Sequence, residues 1–231
     1  MKAIFVVTAA MAFALSPLMT GGFAGFRPDQ FPIPQVDPPV RPAGYAFAIW
    51  GVIYLWLIAG AIFGLLKRAE AADWDAMRWP LIASLVVGAA WIPVAQISPL
   101  WATVLIWGML VTALWALLRA GTADRVWLRT PIALYAGWLT AASCVALGLM
   151  LAGQGLVTAQ MAALAMIALA LVISLGVTIL RRDAPEYAGA VIWALIGVIF
   201  ANLGTSNVAV LVLCASGIAV LMVTALRARP A

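Results

Sequence analysis

The residues of this chain best equipped to do chemistry are rings. Phe47, Trp50 and Tyr54 fall at i, i+3 and i+7, which is one stripe of a helix. Trp91 and Pro93 stand together in the triplet WIP, and Tyr135 and Trp138 lie at i and i+3 with Ala142 one turn beyond. Small residues accompany the indoles: Gly51 near Trp50, and Ala141, Ala142 and Ser143 near Trp138. Deep in hydrocarbon, an indole N–H or phenol O–H finds no water and takes its partner from a neighbouring helix or from a ligand. Three such stretches brought together would line one pocket for a flat, mostly apolar molecule, held by stacking and one or two hydrogen bonds. The same stripes would serve as plain packing between helices, and from the residue types alone packing is the commoner use.

The groups that acid–base or covalent chemistry needs are missing or unplaced. There is no histidine, which removes the commonest general base and the commonest metal and haem ligand. Cys144 and Cys214 both lie in apolar runs, without the spacing or co-ligands of a disulfide or metal site, so they read as small hydrophobes. Asp29 and Asp37 sit in the first loop, where nothing in the sequence fixes them. General acid–base catalysis requires groups held within reach of substrate. The expectation is a protein that is not an enzyme, with no metal and no certain cofactor. The net charge of +5 is spread over loops, so it speaks to membrane orientation and not to a nucleic-acid partner.

The elements that must position these rings follow from composition. Hydrophobic residues make up 66% of the chain and charged residues 9%, far from the roughly one-quarter charged of soluble domains. The apolar residues come in blocks of about 20, the length that crosses about 30 Å of hydrocarbon. Segments of about 10 residues with alternating polarity, the mark of a membrane β-barrel, do not occur. Eight segments are predicted, at 4–21, 44–66, 80–97, 100–119, 131–151, 158–180, 188–204 and 205–226. The fold class is therefore an all-α polytopic membrane protein, a bundle of about eight transmembrane helices.

Charge placement supports the number of spans. With eight spans, Lys2, Lys67, Arg68, Arg78, Arg119, Arg125, Arg129, Arg181, Arg182, Arg227 and Arg229 fall on one face, and only Arg27 and Arg41 on the other. The positive-inside rule then places both termini in the cytoplasm, with a bacterial inner membrane as the expected location. The first segment has the basic start and short apolar core of a signal peptide, but no clear A-x-A-like site follows, so a retained helix is expected.

The first loop, 22–43, stands apart, with five prolines between Pro28 and Pro39 and the rings Phe23, Phe26 and Phe31. Proline stops helix and favours extended chain. Such a loop either folds back as a lid over the bundle, with Phe26 and Phe31 turned inward, or lies as a linker in the membrane interface. Gly60 and Gly64 form a small-xxx-small pair suited to close helix packing. Asn202, Thr205, Ser206 and Asn207 read as the turn between the last two spans.

With these residues in view, the chain resembles the tryptophan-rich sensory proteins, the TspO/MBR family that includes the mitochondrial translocator protein (peripheral benzodiazepine receptor). The family pattern P-P-x-W-x-x-x-P-V-W-x-x-x-Y is similar to PAGYAFAIWGVIY, 42–54, with one residue fewer here. Its N-x-x-W-x-P is similar to GAAWIP, 88–93, and its P-Y-x-x-W-x-x-F-A-x-x-x-N to ALYAGWLTAASCVA, 133–146. The order matches, as does a Pro-rich first loop. The likeness covers about 1–151, implying a TspO-like five-helix bundle with a lid loop at 22–43, and leaves 152–231 as three additional transmembrane helices. Carried over, it implies that Trp50, Tyr54, Trp91, Pro93, Trp138 and Ala142 surround a site for porphyrins and other hydrophobic ligands. Two polar positions of the pattern are apolar here, Gly88 and Ala146, which predicts a larger and more apolar cavity.

The function expected is binding of a flat apolar ligand, with a tetrapyrrole as the candidate, in a sensory, regulatory or ligand-handling role. The alternative is a structural or assembly subunit of a larger membrane complex, or a homodimer, using outward tryptophans and the added spans as a docking surface. Passive transport of an apolar ligand is a third reading. Ion-coupled transport is disfavoured because no Asp, Glu, Lys or Arg falls inside any expected span.

Overall fold

Proline and short polar caps decide where the helices begin. Ser98 accepts a hydrogen bond from the Trp101 backbone N–H with Pro99 in the first turn, and Thr158 caps the next such start through the Met161 N–H. In the computed structural model, which describes residues 1–205 and 207–227, the described residues form eight α-helices: α1 Lys2–Thr20, α2 Ile49–Lys67, α3 Ala72–Ile97, α4 Pro99–Arg119, α5 Arg129–Gly153, α6 Ala159–Leu180, α7 Pro185–Asn202 and α8 Val208–Arg227. All eight are long and apolar enough to cross a membrane. Ser206 of the expected last turn and the basic Arg229 lie outside the described residues.

The boundaries differ from expectation chiefly in α3, which starts at Ala72 and not at 80. Pro80 lies within the helix, and Asp73 and Asp75 occupy the first turn, where the positive end of the helix dipole favours acids. The earlier start brings Asp73, Asp75 and Arg78 into α3, and α5 begins with Arg129; all four lie outside the expected spans, toward the helix ends. Lys2, Lys67, Arg119, Glu186 and Arg227 likewise stand at the ends of the other helices. Arg78, 3% exposed, is satisfied by the carbonyls of Arg68 and Ala69, each at 2.7 Å, and Arg129 donates from Nη1 to Asp183 while its Nε is buried without a partner among the described residues. The second expected span begins as a 3-10 turn, Gly44–Ala48, that runs into α2.

Helix α5 is the axis of the bundle. It packs on α2, α4, α6 and α7, and nearly every residue along it is buried. Helix α1 lies on α2 and α3, α3 and α4 form a tight hairpin, and α8 lies across α6 and α7. One continuous core includes residues of all eight helices, while exposed Leu55, Val104, Val111 and Val172 present the apolar surface that lipid requires. Between helices in lipid, close packing and hydrogen bonds to backbone carbonyls supply the association energy. Gly60 and Gly64 provide the first: a methyl at Gly64 would stand 2.5 Å from the Trp74 ring, and one at Gly60 would meet the Trp127 carbonyl. Tryptophans provide the second, with Trp91 Nε1 donating to the Ala102 carbonyl at 2.8 Å and Trp193 Nε1 to the Ala46 carbonyl at 2.9 Å.

The basic loops meet on one face, as the charge alternation required. Lys2 bonds Asp75 at 2.6 Å, Arg68 bonds Asp124 at 2.6 Å, Arg125 bonds Glu186, and Arg181 reaches the Leu117 carbonyl at the end of α4. On the opposite face the first loop is pinned to the bundle. The Ile33 N–H donates to the Gly153 carbonyl, the Ala43 N–H to the Gly197 carbonyl, Asn202 Nδ2 to the Pro39 carbonyl and Gln30 Nε2 to the Ala95 carbonyl, all at 2.9–3.0 Å. These bonds hold the loop, called the lid below, against the end of the bundle.

Candidate ligand site

The aromatic pocket begins at the turn Gly44–Ala48, which hands Phe47 to the interior just before α2 carries Trp50 and Tyr54 inward. Trp50 stacks on Tyr54, with centroids 5.3 Å apart and planes at 16°. Its edge meets Trp138 of α5 at 6.2 Å, and Phe47 meets the same indole at 5.9 Å. From α3, Trp91 reaches Phe23 of the lid at 4.7 Å. Pro93, lacking an N–H, cannot bond the Ala89 carbonyl one turn earlier, and Ser16 of α1 donates to that carbonyl at 2.7 Å.

These rings bound an apolar cavity of about 80 Å³. Trp50, Trp91 and Trp138 form one side with Phe47, Ala141 and Ala142; the lid closes it with Phe23 and Phe26. A second cavity, of about 170 Å³, lies toward α1 and is lined by Phe13, Tyr54 and Gly88 among others. Phe23, Phe47, Trp50 and Trp91 line both, so the rings form a septum between two compartments. Trp138 is 2% exposed, and its indole N–H is buried with no hydrogen-bond partner among the described residues. An unpaired buried donor costs about 1–3 kcal/mol, so this N–H favours any acceptor that reaches it.

The structure gathers most of the expected residues and leaves some out. Phe47, Trp50, Trp91, Trp138, Ala142 and Phe26 line the first cavity and Tyr54 the second. Tyr135 lines neither: it is fully buried, and its hydroxyl is bonded to Ser84 Oγ at 2.9 Å. Pro93 lines neither cavity; it frees the Ala89 carbonyl that Ser16 binds. Phe31 packs on Phe26 and fills the space beside Gly153, away from the cavity. Gly51 faces outward with nothing near it, so it makes no room beside Trp50. Gly88 does not simply enlarge the pocket either, because Phe13 fills the space: a methyl there would stand 2.6 Å from the Phe13 ring. Asp29 is paired with Arg27 at 3.2 Å and is not a cavity residue.

The far wall was not legible in the sequence. Met166 and Ile167 of α6 and Val191 and Ala194 of α7 line the first cavity, and Phe13 of α1 the second. Nothing distinguishes these aliphatic residues from lipid-facing ones in sequence. Arg41 of the lid was readable as one of two basic residues on the opposite face, and it lines the first cavity as well.

Eight apolar helices that enclose an apolar, tryptophan-walled cavity under a pinned loop define an integral membrane protein. The family model described as TSPO-like protein matches residues 4–227, and the chain belongs to that family. The match runs well past residue 151, so the last three helices are part of the family likeness and not outside it. Comparison with curated proteins and with solved structures gives no match.

Proposed function

We propose that this protein binds a flat, mostly apolar ligand in the cavity between α5, α6, α7 and the lid, in a sensory, regulatory or ligand-handling role without catalysis. The observation that carries the reading is the unpaired, buried indole N–H of Trp138, a residue in the wall of an apolar aromatic cavity. Trp91 and Trp193 pair their indole N–H groups with carbonyls, and Trp107, which lines neither cavity, leaves its own unpaired among the described residues too, so what singles out Trp138 is its place in the cavity wall. Residues 1–151 supply the tryptophan side of the site, and 152–231 complete it with the aliphatic wall. The basic face lies in the cytoplasm with both termini, in a bacterial inner membrane, by the positive-inside rule.

A tetrapyrrole is the candidate, and its size adds a condition. Sites for drug-sized ligands span about 300–1,000 Å³. A cavity of about 80 Å³ accepts such a ligand only when the lid lifts and the septum at Trp50 and Trp91 parts to join the second cavity. The exposed tryptophans 79, 101, 115 and 127 fall at helix ends or in loops, where an aromatic belt places them, so they do not by themselves favour the assembly-subunit reading.

The test is a titration of the detergent-purified protein with protoporphyrin IX, read by tryptophan quenching, with Trp138→Ala alongside. Saturable quenching that the substitution weakens supports the site. Absence of saturation at the solubility limit rejects a tetrapyrrole site.

A further inference from the structure

Arg41 is placed where a ligand's charge would be read. It lines the apolar cavity together with Phe26, Phe47 and Trp138, and it also lines an outer basin of about 760 Å³ formed with Asp37, Gln160, Asn202 and Asn207 among others. Its guanidinium lies against Gly25, itself a cavity wall: a methyl on Gly25 would stand 3.8 Å from Arg41 Nε. Among the described residues no carboxylate lies within 4.0 Å of this guanidinium, Asp37 included. The other half-buried or buried arginines, Arg68, Arg78, Arg129 and Arg181, each have a carboxylate partner. A partly buried cation without a counter-ion is unfavourable, and guanidinium matches a carboxylate with two parallel hydrogen bonds.

We propose that the ligand of this cavity is an amphipathic carboxylate, its apolar body against Trp138 and its carboxylate on Arg41 at the mouth. The inference rests on the cavity being the ligand site and adds the chemical class. Access is then from the face opposite the termini, through the basin, with the apolar end leading. Two sources supply this chemistry, the propionate side chains of a tetrapyrrole and the head of a fatty acid. The cavity does not bind an uncharged ester of the same body as well.

The experiment compares protoporphyrin IX with its dimethyl ester in tryptophan-quenching titrations of the full chain in a non-ionic detergent, and tests decanoate against methyl decanoate as competitors. The variants are Arg41→Gln and, as a control in the same loop, Arg27→Gln. The expected result is a free acid that binds about tenfold tighter than the ester. Arg41→Gln removes that difference, while Arg27→Gln preserves it. Thermal unfolding of Arg41→Gln should match the parent, since Arg41 has no ion pair to lose. Displacement by decanoate identifies a fatty acid as an accepted source, and its failure with the acid preference intact identifies the tetrapyrrole. Equal binding of acid and ester, or a preference that survives Arg41→Gln, overturns the proposal while leaving the cavity as a ligand site. Failure of both porphyrins and of decanoate to bind overturns both.

Discussion

The indole of Trp50 stands edge-on to that of Trp138, with ring centroids 6.2 Å apart and planes at 85°. This contact joins α2 to α5 and makes one wall from two helices that are far apart in sequence. The edge-to-face geometry suits the quadrupoles of both rings and contributes about 0.5–1.5 kcal/mol beyond burial. Each ring therefore holds the other as part of the cavity wall.

Trp138→Phe keeps the ring and removes the unpaired N–H. If that N–H serves a ligand, affinity should fall about three- to tenfold, the worth of one neutral hydrogen bond. Stability without ligand should fall by about 1–2 kcal/mol, because the smaller ring leaves space beside Trp50 and Phe47, although no hydrogen bond is lost. Quenching titrations and thermal unfolding of the same preparation check both halves. A variant that binds unchanged would remove Trp138 as a donor.

Ser16→Ala should destabilise the bundle by about 1–3 kcal/mol. The Ala89 carbonyl, left free by Pro93, would then be buried without a donor. Ser16 is 7% exposed, so water does not readily replace it. Denaturant unfolding in detergent measures the loss, and Pro93→Ala in the same background should recover part of it by restoring the N–H at 93.

Gly88→Asn, which returns the residue of the family pattern, should cost about 1–3 kcal/mol through the clash with Phe13. The pair Gly88→Asn with Phe13→Ala should be less unstable than the sum of the two single variants. Additivity in that cycle would mean that Phe13 does not fill the Gly88 space.

Stability should decline with acid through the loops of the basic face. The Arg68 hydrogen bond holds the Asp124 carboxyl below its ordinary range. At Asp183 burial pushes the carboxyl up, but hydrogen bonding and charge from Arg181 with the charge of Arg129 outweigh it, and the net shift is down. A carboxylate with a lowered folded value releases its proton more readily in the folded state. Its stabilisation is full above the unfolded value of about 4 and is lost as pH falls through the lower folded value. Unfolding temperature measured from pH 6 downward should fall below about pH 4, and Asp124→Asn should flatten part of that limb.

How much of this was in the sequence depends on the scale of the physics. Hydrocarbon thickness and the placement of arginine and lysine act along the chain over some 20 residues, so the eight spans and the grouping of the basic loops on one face were determined there. The caps at Ser98 and Thr158 and the lid's prolines are equally local. The start of α3 was misplaced because Pro80 reads as a beginning, whereas the acids ahead of it extend the helix by the dipole. Trp50, Trp91 and Trp138 were recognisable as a set from type and neighbours. Their convergence on one cavity was decided by tertiary structure, because it depends on α5 lying between α2, α4, α6 and α7. Packing also decided that Tyr135 is bonded to Ser84, that Phe13 occupies the space at Gly88, and that plain aliphatic residues of α6 and α7 form the far wall. An aliphatic side chain has no feature in sequence that separates a cavity wall from a lipid contact. Only the position of the neighbouring helix does.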